Sequence, residues 1–414
     1  MVVRFIAILA SLLLITACGP AEQAAPPEPT VATPEAAVDN AARAAEIAKN
    51  AIIIDTHIDV PYRIVDAWED VSESTEGGDF DYPRAVAGGL NAPFMSIYTP
   101  AGLEAEGRSK DVAESLIDLV NRIVADSPDK FAIALSPADV EAQFAAGLIS
   151  LPLGMENGSP IEGDIANVQH FFDRGIRYIT LAHGLSNHIS DSSYDENKQW
   201  DGLSEFGMEV VREMNRVGIM VDISHVSDGA FWDVMDVTTA PAIASHSSAR
   251  HFTPEWERNI ADDMIVRLAE NGGVVMINYG SAFLVQRAQD YGSAKREAMS
   301  AYLEMNSIEA SEEASAAFDL IYEAEHGGYP YATLAETLDH FDHVVNLVGV
   351  DHVGIGSDYD GVGDSLPIGL KDVSTYPNLV EGLLDRGYSE ADIEKILGGN
   401  LLRVWRAVEA AAGM

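Results

Sequence analysis

The sequence predicts an α/β protein that folds as a (β/α)8 TIM barrel, with a helical insertion between strands 7 and 8. Three observations support this prediction. About eight short, apolar segments are rich in β-branched residues, longer segments with helical periodicity lie between most of them, and polar residues follow the ends of the short segments. Buried strands that alternate with helices are typical of a parallel barrel. No glycine-rich phosphate loop follows the first strand, which argues against the alternative, a doubly wound open sheet.

The predicted elements alternate along the chain from the first strand to the last. The strands are Ile52–Thr56, Ala92–Ile97, Ile149–Leu153, Tyr178–Leu181, Ile219–Ile223, Ala242–Ala244, Val274–Ile277 and His352–Ile355. The helices are Lys110–Ala125, Asp164–Arg174, Glu205–Val217, Phe231–Val237, Ala261–Glu270 and Leu334–Val348. The predicted insertion, Val285–Glu325, is acidic, rich in Ala and Glu, and helical in pattern.

The composition is that of a globular protein with an acidic surface. Hydrophobic residues make up 47% of the 414 residues and charged residues 22%, which is enough to build a large core. Lys and Arg number 25 against 66 Asp and Glu, so the net charge is −41. Phosphate binding requires clustered basic residues, and we therefore expect no nucleic-acid partner.

The only cysteine of the chain, Cys18, follows an apolar run of signal-peptide length, Ile6–Ile15. The run ends in a sequence that looks like a bacterial lipobox, so residues 1–18 are predicted to be a lipoprotein signal peptide, with Cys18 carrying the lipid anchor. The alternative is an ordinary signal peptide with an incidental cysteine. A single cysteine also excludes a disulfide within the monomer and any cysteine-based metal site.

The segment that follows Cys18 is rich in Pro, Ala and Glu and is predicted to be an extended tether over residues 19–44, with a short helix near Ala41–Lys49. Residues 45–414 are predicted to form one barrel domain. We expect the protein in the bacterial cell envelope, lipid-anchored and facing the periplasm. Gly19, rather than Asp, favours the outer membrane.

Ionisable residues follow six of the eight predicted strands, at the carboxyl ends where barrel enzymes have their active sites. His57 and Asp59 are two residues apart in an extended segment, so their side chains point the same way. Glu156 follows the third strand, and His225 and His246 follow the fifth and sixth. These nitrogen and oxygen donors suit Zn²⁺ or another borderline divalent ion. Five ligands, one of them a carboxylate that can bridge, fit a two-metal site.

His183 follows the fourth strand, and Asp358 and Asp360 follow the eighth. Either carboxylate could act as a general acid and base, and the residues alone do not decide between them. For an isolated histidine after a strand, the alternative is a hydrogen-bonded core residue. Arg258, considered alone, would be expected to form a surface ion pair.

Motifs along the chain resemble the renal, or membrane, dipeptidase family of the amidohydrolase superfamily. They arrive in the family's order and cover about Ala51 to Val408. They read IDTHIDVPYR, GMENG, LAHGLSN, VDISHVS, ASHSSAR, ERNIADDMI, GIGSDYDGV and LGGNLLRVW. The resemblance implies a dipeptidase with two zinc ions per chain, bridged by Glu156 and by a water or hydroxide that attacks the peptide bond. It assigns His57 and Asp59 to one zinc and His225 and His246 to the other.

The resemblance also implies roles in substrate binding and proton transfer. His183 contacts the scissile carbonyl, Arg258 pairs with the C-terminal carboxylate of a dipeptide, and Asp358 is the acid and base. It further implies possible cleavage of L-Xaa-D-Xaa dipeptides and a homodimer. Two positions depart from the family pattern: Asn157 stands beside Glu156 where a small residue is expected, and Arg250 follows the SHSSA run.

Two other functions stay open on the sequence. The nearest is another metal-dependent hydrolase on the same barrel, acting on an ester, a lactone or a cyclic amide, because the same metal ligands serve all of these reactions. The other is a periplasmic lipoprotein that binds zinc or peptides without catalysis. A carboxylate and a histidine beside five metal ligands argue against this second alternative.

Overall fold

Eight parallel strands close into a barrel in the computed structural model, which describes residues 39–414. The ten strands within these described residues are β1 (Ile53–Ile58), β2 (Leu90–Tyr98), β3 (Phe131–Ile133), β4 (Ile149–Leu151), β5 (Leu153–Glu156), β6 (Ile176–Thr180), β7 (Met220–Asp222), β8 (Ile243–Ala244), β9 (Val274–Ile277) and β10 (Val353–Ile355). The barrel order is β1-β10-β9-β8-β7-β6-β5-β2, and β3 and β4 form a separate parallel pair. The predicted TIM barrel is therefore confirmed. The predicted signal peptide and Cys18 lie outside the described residues.

Helices connect the strands and surround the barrel. They are α1 (Asn40–Asn50), α2 (Val60–Ile64), α3 (Tyr82–Gly88), α4 (Leu103–Glu106), α5 (Ser109–Asp126), α6 (Pro137–Ala146), α7 (Ala166–Asp173), α8 (Glu205–Val217), α9 (Asp228–Val237), α10 (Asp262–Glu270), α11 (Ser281–Leu284), α12 (Gln286–Asn306), α13 (Glu312–His326), α14 (Leu334–Val348), α15 (Tyr376–Asp385), α16 (Glu390–Glu394) and α17 (Asn400–Ala411). Short 3-10 turns cover Ser159–Ile161, Arg250–Phe252, Val350–His352 and Val373–Thr375, and a π-helical turn covers Lys395–Gly399. No helix within residues 39–414 is long and apolar enough to span a membrane.

The third predicted strand, Ile149–Leu153, is wrong in its placement. The apolar run is divided at Pro152 into β4, which pairs with β3, and β5, which enters the barrel between β2 and β6. Proline has no N–H for a ladder hydrogen bond, so a strand is interrupted there. As a result β5 ends at Glu156, which places this residue at the carboxyl end of a barrel strand.

The predicted insertion is present as two helices, α12 and α13, between β9 and β10. Neither helix has a wide apolar face: Ala288 is the one buried residue of α12 among the described side chains. The two helices contact each other through aromatic pairs such as Tyr302 with Phe318 and Tyr291 with Tyr322. The insertion is therefore a helical hairpin that lies outside the barrel wall.

The first helix, α1, begins at Asn40, ahead of the predicted domain start at residue 45. Asp39 caps it, with a side-chain oxygen that accepts a hydrogen bond from the backbone N–H of Ala42. Ala44, Ile47 and Ala48 are buried. Because its apolar face is covered, α1 is part of the folded domain.

A hydrophobic cluster supports the barrel from within. It joins side chains of several barrel strands, among them Phe94 and Tyr178, to Trp405 on the C-terminal helix. The ring centroids of Phe94 and Trp405 are 5.5 Å apart. Tyr178 lies across β5 at a glycine: a Cβ on Gly154 would come within 1.9 Å of the Tyr178 ring. The glycine two residues before Glu156 thus makes room for a tyrosine that reaches the site.

Candidate metal centre and active site

The carboxyl ends of the barrel strands bring the predicted site residues into one buried group. His57, Glu156 and His246 hold ligand atoms within 4.8 Å of one another, as do Glu156, His183 and His225. His57, Asp59 and Asp358 form a third such set. All eight residues that the sequence singled out as site residues, Arg258 included, lie in this region and are buried or half-buried.

Glu156 lies at the centre of the group. Its Oε1 is 3.1 Å from Nε2 of His225 and 3.4 Å from Nε2 of both His246 and His183, and its Oε2 is 3.4 Å from Nε2 of His57. Burial opposes ionisation, but the electrostatic influence of His57 and His183 and the hydrogen bonds from His225 and His246 outweigh it and hold the pKa of Glu156 well below its usual range. A carboxylate between histidines on both sides has the placement of a bridging ligand.

The Nε2 atoms of His225 and His246 face each other at 2.9 Å. Nδ1 of His246 lies 2.7 Å from the hydroxyl of Ser245, which itself donates to the Asp222 carboxylate at 2.6 Å. Because that hydroxyl has only one proton, Nδ1 of His246 must donate to it, which leaves a lone pair on Nε2. Burial lowers the pKa of His225 and of His246 well below the ordinary value, so both rings are neutral.

His57 is oriented in the same manner. Its Nδ1 is 2.8 Å from the hydroxyl of Tyr178, which donates to the carbonyl oxygen of Thr56. Nδ1 of His57 is therefore the donor, and Nε2, which has no hydrogen-bond partner in the described chain, is free to bind a cation. Burial opposes protonation of this ring, yet Tyr178, Asp59 and Glu156 hold the pKa of His57 well above its ordinary value. A metal ion would satisfy the same carboxylates that favour the proton.

These donors fit a divalent metal centre. Within residues 39–414, Oδ1 of Asp59, Nε2 of His57 and Nδ1 of His225 are buried without a hydrogen-bond partner. Buried polar groups that lack partners are costly unless a ligand or ion satisfies them. The imidazoles of His57, His225 and His246 and the carboxylates of Asp59 and Glu156 are donors that zinc and similar borderline ions accept. The individual ligand assignments stay predictions.

Asp358 adjoins the metal group and differs from Asp360 in its surroundings. Oδ2 of Asp358 accepts a hydrogen bond from the side-chain amide of Asn278 at 2.7 Å, and burial raises the pKa of Asp358 to about 7. Asp360 instead accepts from the backbone N–H of Asp79 at 2.6 Å and pairs with Arg63. Burial raises the pKa of Asp360 as well, to about 6, so the difference lies in the contacts: Asp358 adjoins His57 and Asp59, whereas Asp360 joins two loops.

Arg258 is buried, with 2% of its surface exposed, so the expected alternative of a surface ion pair is wrong. Its guanidinium donates to the hydroxyl of Ser247 at 2.7 Å and to the carbonyl oxygen of His246 at 3.0 Å. It makes no ion pair with residues 39–414, and its Nε lacks a hydrogen-bond partner there. It lies against the ring of Phe283, at 5.0 Å from the ring centroid. A buried guanidinium without a carboxylate partner calls for an anionic ligand.

The two departures from the family pattern have structural explanations. Asn157 has a φ of 85°, a left-handed conformation that asparagine and glycine tolerate best. Its side chain also bonds the carbonyl oxygen of Thr99 and the amide of Asn187. Arg250 donates to the carbonyl oxygens of Glu257 and Asn259, on both sides of Arg258. Both residues therefore hold loops of the site in place.

Several residues of the site were missed in the sequence. Asn278 follows β9 and Ser96 lies on β2, the two strands to which no site residue was assigned; Ser96 donates to Glu156 at 3.3 Å. The strand-end rule that found the histidines would have found Asn278. Asp222 is the last residue of β7, so the same rule would have found it too, whereas Tyr178 lies in the middle of β6 and resembles a core residue.

A cavity of about 820 Å³ opens over the metal group. Its floor includes Asp59, Glu156, His183, His225 and Asp358. Residues of the insertion form part of its wall. This volume lies in the range of small-molecule sites. Predicted metal ligands and Asp358 thus border one substrate-sized space, and Arg258 lies next to it, against the lining residue Phe283.

The sequence profile of the family described as membrane dipeptidase, peptidase family M19, matches residues 41–414. The chain belongs to this family. It is accordingly a metallopeptidase of the dipeptidase type, and the predicted family and enzyme class are confirmed.

Curated relatives of this M19 chain include two fungal dipeptidases. The dipeptidase aclJ of Aspergillus oryzae is 36% identical over 342 residues, which cover 81% of this chain and 71% of the relative. An uncharacterized dipeptidase of Schizosaccharomyces pombe is 31% identical over 373 residues, which cover 86% of this chain and 81% of the relative.

Solved structures of similar fold include bacterial enzymes. The probable dipeptidase PvdM of Pseudomonas aeruginosa has a TM-score of 0.77 at 26% identity, covering 90% of this chain and 99% of that one. A metallopeptidase of Rhodobacter sphaeroides, solved with a phosphinate mimic of L-Ala-D-Ala, has a TM-score of 0.70 at 24% identity, covering 87% of this chain and all of that one. The second likeness shows the fold alone.

Proposed function

We propose that this chain is a two-zinc dipeptidase that hydrolyses the single peptide bond of L-Xaa-L-Xaa and L-Xaa-D-Xaa substrates. The observation that carries the proposal is the convergence of histidine nitrogens on both oxygens of the buried Glu156, in the floor of a substrate-sized cavity. Two bound zinc ions would polarise the scissile carbonyl and activate the attacking water.

The protein side chains have separate tasks in this reaction. Asp358, whose pKa burial raises to about 7, would accept the proton of the attacking water and pass it to the leaving amine. The Asn278 amide, which donates to Asp358, would keep the carboxylate turned toward the reacting atoms. His183, 3.4 Å from Glu156 and at the cavity floor, would donate to the developing oxyanion of the carbonyl.

Arg258 would restrict the substrate to short peptides. Its guanidinium lies 5.0 Å from the ring of Phe283, a residue of the cavity wall, and has no ion pair with the side chains that the structure describes. The free C-terminal carboxylate of a dipeptide would supply that partner, and a longer peptide would have to place an amide there instead. A hydrolase of esters, lactones or cyclic amides would have no such requirement.

The proposal is tested with residues 39–414 expressed as the folded domain. Zinc content is measured, and dipeptides, tripeptides and carboxyl-amidated dipeptides are assayed before and after chelation. We expect cleavage of free dipeptides alone, lost on chelation and restored by zinc. Two bound metals together with turnover of simple esters or lactones, but not of dipeptides, would move the function to another hydrolase of this fold.

We further propose that Cys18 is lipidated and holds the enzyme at the periplasmic face of the outer membrane, and that the domain forms a homodimer. The support for the anchor is the lipobox-like sequence before Cys18, and for the dimer the family resemblance alone. Palmitate labelling of the full chain should disappear in Cys18→Ala. Light scattering of residues 39–414 should give twice the monomer mass, and a monomer would contradict the dimer.

A further inference from the structure

The outer wall of the cavity comes from the insertion rather than from the barrel. Five residues of α12 line this wall: Tyr291, Gly292, Lys295, Arg296 and Met299. They recur about once per helical turn and therefore lie on one face of the helix. Ser315 and Asp319 of α13 complete this wall. A substrate bound over the metal group would therefore contact the insertion with its side chains.

Two carboxylates line the cavity outside the metal group, and each forms an ion pair with a basic side chain. Asp319 on α13 pairs with Lys295 on α12, with 2.7 Å between Nζ and Oδ1. Asp360 pairs with Arg63 at 3.1 Å. Neither carboxylate is left to pair with Arg296, the remaining cation of the wall.

Arg296 makes no ion pair with the side chains that the structure describes, a set that excludes Glu312 and Glu313; its one side-chain hydrogen bond among them is to the hydroxyl of Ser293 at 3.0 Å. The residues three and four positions away on α12 include Gly292, Met299 and Ser300, and none of these positions is acidic. Because neighbours on a helix face are three or four residues apart, α12 offers Arg296 no carboxylate.

The side chain of Arg296 is folded over Gly292. A Cβ at Gly292 would lie 3.5 Å from Nη1 of Arg296, and both residues line the cavity. Glycine is a poor helix former, and here its missing side chain leaves the helix face open in front of the guanidinium. Burial raises the pKa of the nearby Tyr329 phenol to about 12, and the charge of Arg296 opposes this rise, which places the charge beside the cavity.

We propose that Arg296 forms an anion subsite that binds the side-chain carboxylate of an acidic residue, Asp or Glu, in a dipeptide substrate. This inference rests on the proposed dipeptidase function. A guanidinium can bind a carboxylate through two parallel hydrogen bonds. The chain has a net charge of −41, so it repels anions in general, and an acidic substrate needs a local cation to enter the cavity.

The test compares substrates that differ only in charge. The kcat/KM ratios of Glu-Ala to Gln-Ala and of Ala-Glu to Ala-Gln are measured for the wild type, Arg296→Gln and Arg287→Gln. Arg287 is the matched control, because it lies on the same helix but pairs with Glu336 at 2.6 Å and does not line the cavity. We expect Arg296→Gln to lower one of the two ratios about fivefold, the size of a partly exposed ion pair, and added salt to lower the same ratio in the wild type.

The outcomes separate this inference from the proposed function. Equal ratios in Arg296→Gln and Arg287→Gln, with Ala-Ala still hydrolysed, would overturn the anion subsite and leave the dipeptidase intact. A ratio lowered in Arg296→Gln but not in Arg287→Gln would support the subsite. Absence of turnover on every dipeptide, in the wild type as well, would overturn the proposed function itself.

Discussion

At the scale of single residues, the site depends on hydroxyl groups that determine which imidazole nitrogen faces the metal. Tyr178 orients His57, and Ser245, held by Asp222, orients His246. Such outer contacts lower the freedom of a ligand and commonly change metal affinity when removed. We therefore expect the metal affinity of the site to depend on Tyr178, Ser245 and Asp222, none of which is a predicted ligand.

Replacing Asp358 by asparagine should reduce kcat by two to four orders of magnitude, the usual contribution of a general acid and base. The amide cannot accept the water's proton, while the predicted ligands His57, Asp59 and Glu156 are unchanged. Metal content measured by mass spectrometry should stay at the wild-type value. Loss of metal from Asp358→Asn would make Asp358 a ligand instead.

Replacing Tyr178 by phenylalanine should weaken metal binding about 10- to 100-fold, because Nδ1 of His57 would lose its acceptor. The measurement is the metal retained after dialysis against a series of chelator concentrations. Tyr359→Phe is the control, since Tyr359 is a buried tyrosine whose hydroxyl bonds the carbonyl oxygen of Leu370, away from the metal group. Equal retention in both variants would show that the Tyr178 hydroxyl does not orient the ligand.

The strand-end rule found the histidines and carboxylates in the sequence because parallel strands end at one edge of a barrel. The rule does not predict the backbone conformation of these residues. His225 and Asp358 have φ angles of 67° and 64°, left-handed values that strain ordinary residues. Nothing local in the sequence encodes this strain, because the packing of neighbouring strands imposes it. The burial of Arg258 could not be predicted either, because its loop is held by hydrogen bonds from Arg250 to the backbone of Glu257 and Asn259.

At the scale of elements, periodicity predicted the long helices well and the short strands less well. The bounds predicted for α8 and α14 agree with the structure. The error at Ile149–Leu153 arose because one apolar run can serve two sheets, and only the proline inside it marks the change. The insertion was recognisable by composition, but its position over the cavity depends on tertiary packing.

A buried histidine on α14 should make stability depend on pH. His340 accepts a hydrogen bond from the backbone N–H of Ala249 and donates to the carbonyl oxygen of Leu284, and burial lowers its pKa from 6.5 to about 4. As pH falls below 6.5, the unfolded chain takes up this proton first, so the folded state loses about 3 kcal/mol by pH 4. Above pH 6.5 the contribution is complete.

The measurement is the free energy of unfolding in urea, from pH 7 to pH 4, on metal-free protein. The curve of His340→Gln should lose less stability over this range than the wild type. His326→Gln is the matched control, because His326 is an exposed histidine on α13. Parallel curves for all three proteins would assign the acid sensitivity to other groups.

At the scale of the whole molecule, the net charge of −41 should make folding sensitive to salt. Charge repulsion favours the expanded chain, and the screening length falls from about 30 Å at 0.01 M salt to about 8 Å at 0.15 M. We expect the thermal midpoint of residues 39–414 to rise by a few degrees over this range. A midpoint that falls as salt increases would mean that attractive surface ion pairs outweigh the repulsion.

The closure of the barrel sets the order in which the site can form. β1 is hydrogen-bonded to β10, the last strand of the chain, and the backbone N–H of Asp358 donates to the carbonyl oxygen of His57. Residues separated by some three hundred positions are thus direct neighbours. A chain that is still being synthesised contains all five predicted metal ligands long before β10 is made. Without β10 the barrel is open, and no closed site holds these ligands together. Metal uptake should therefore follow completion of the chain, and a bound metal would report that the ring of strands has closed.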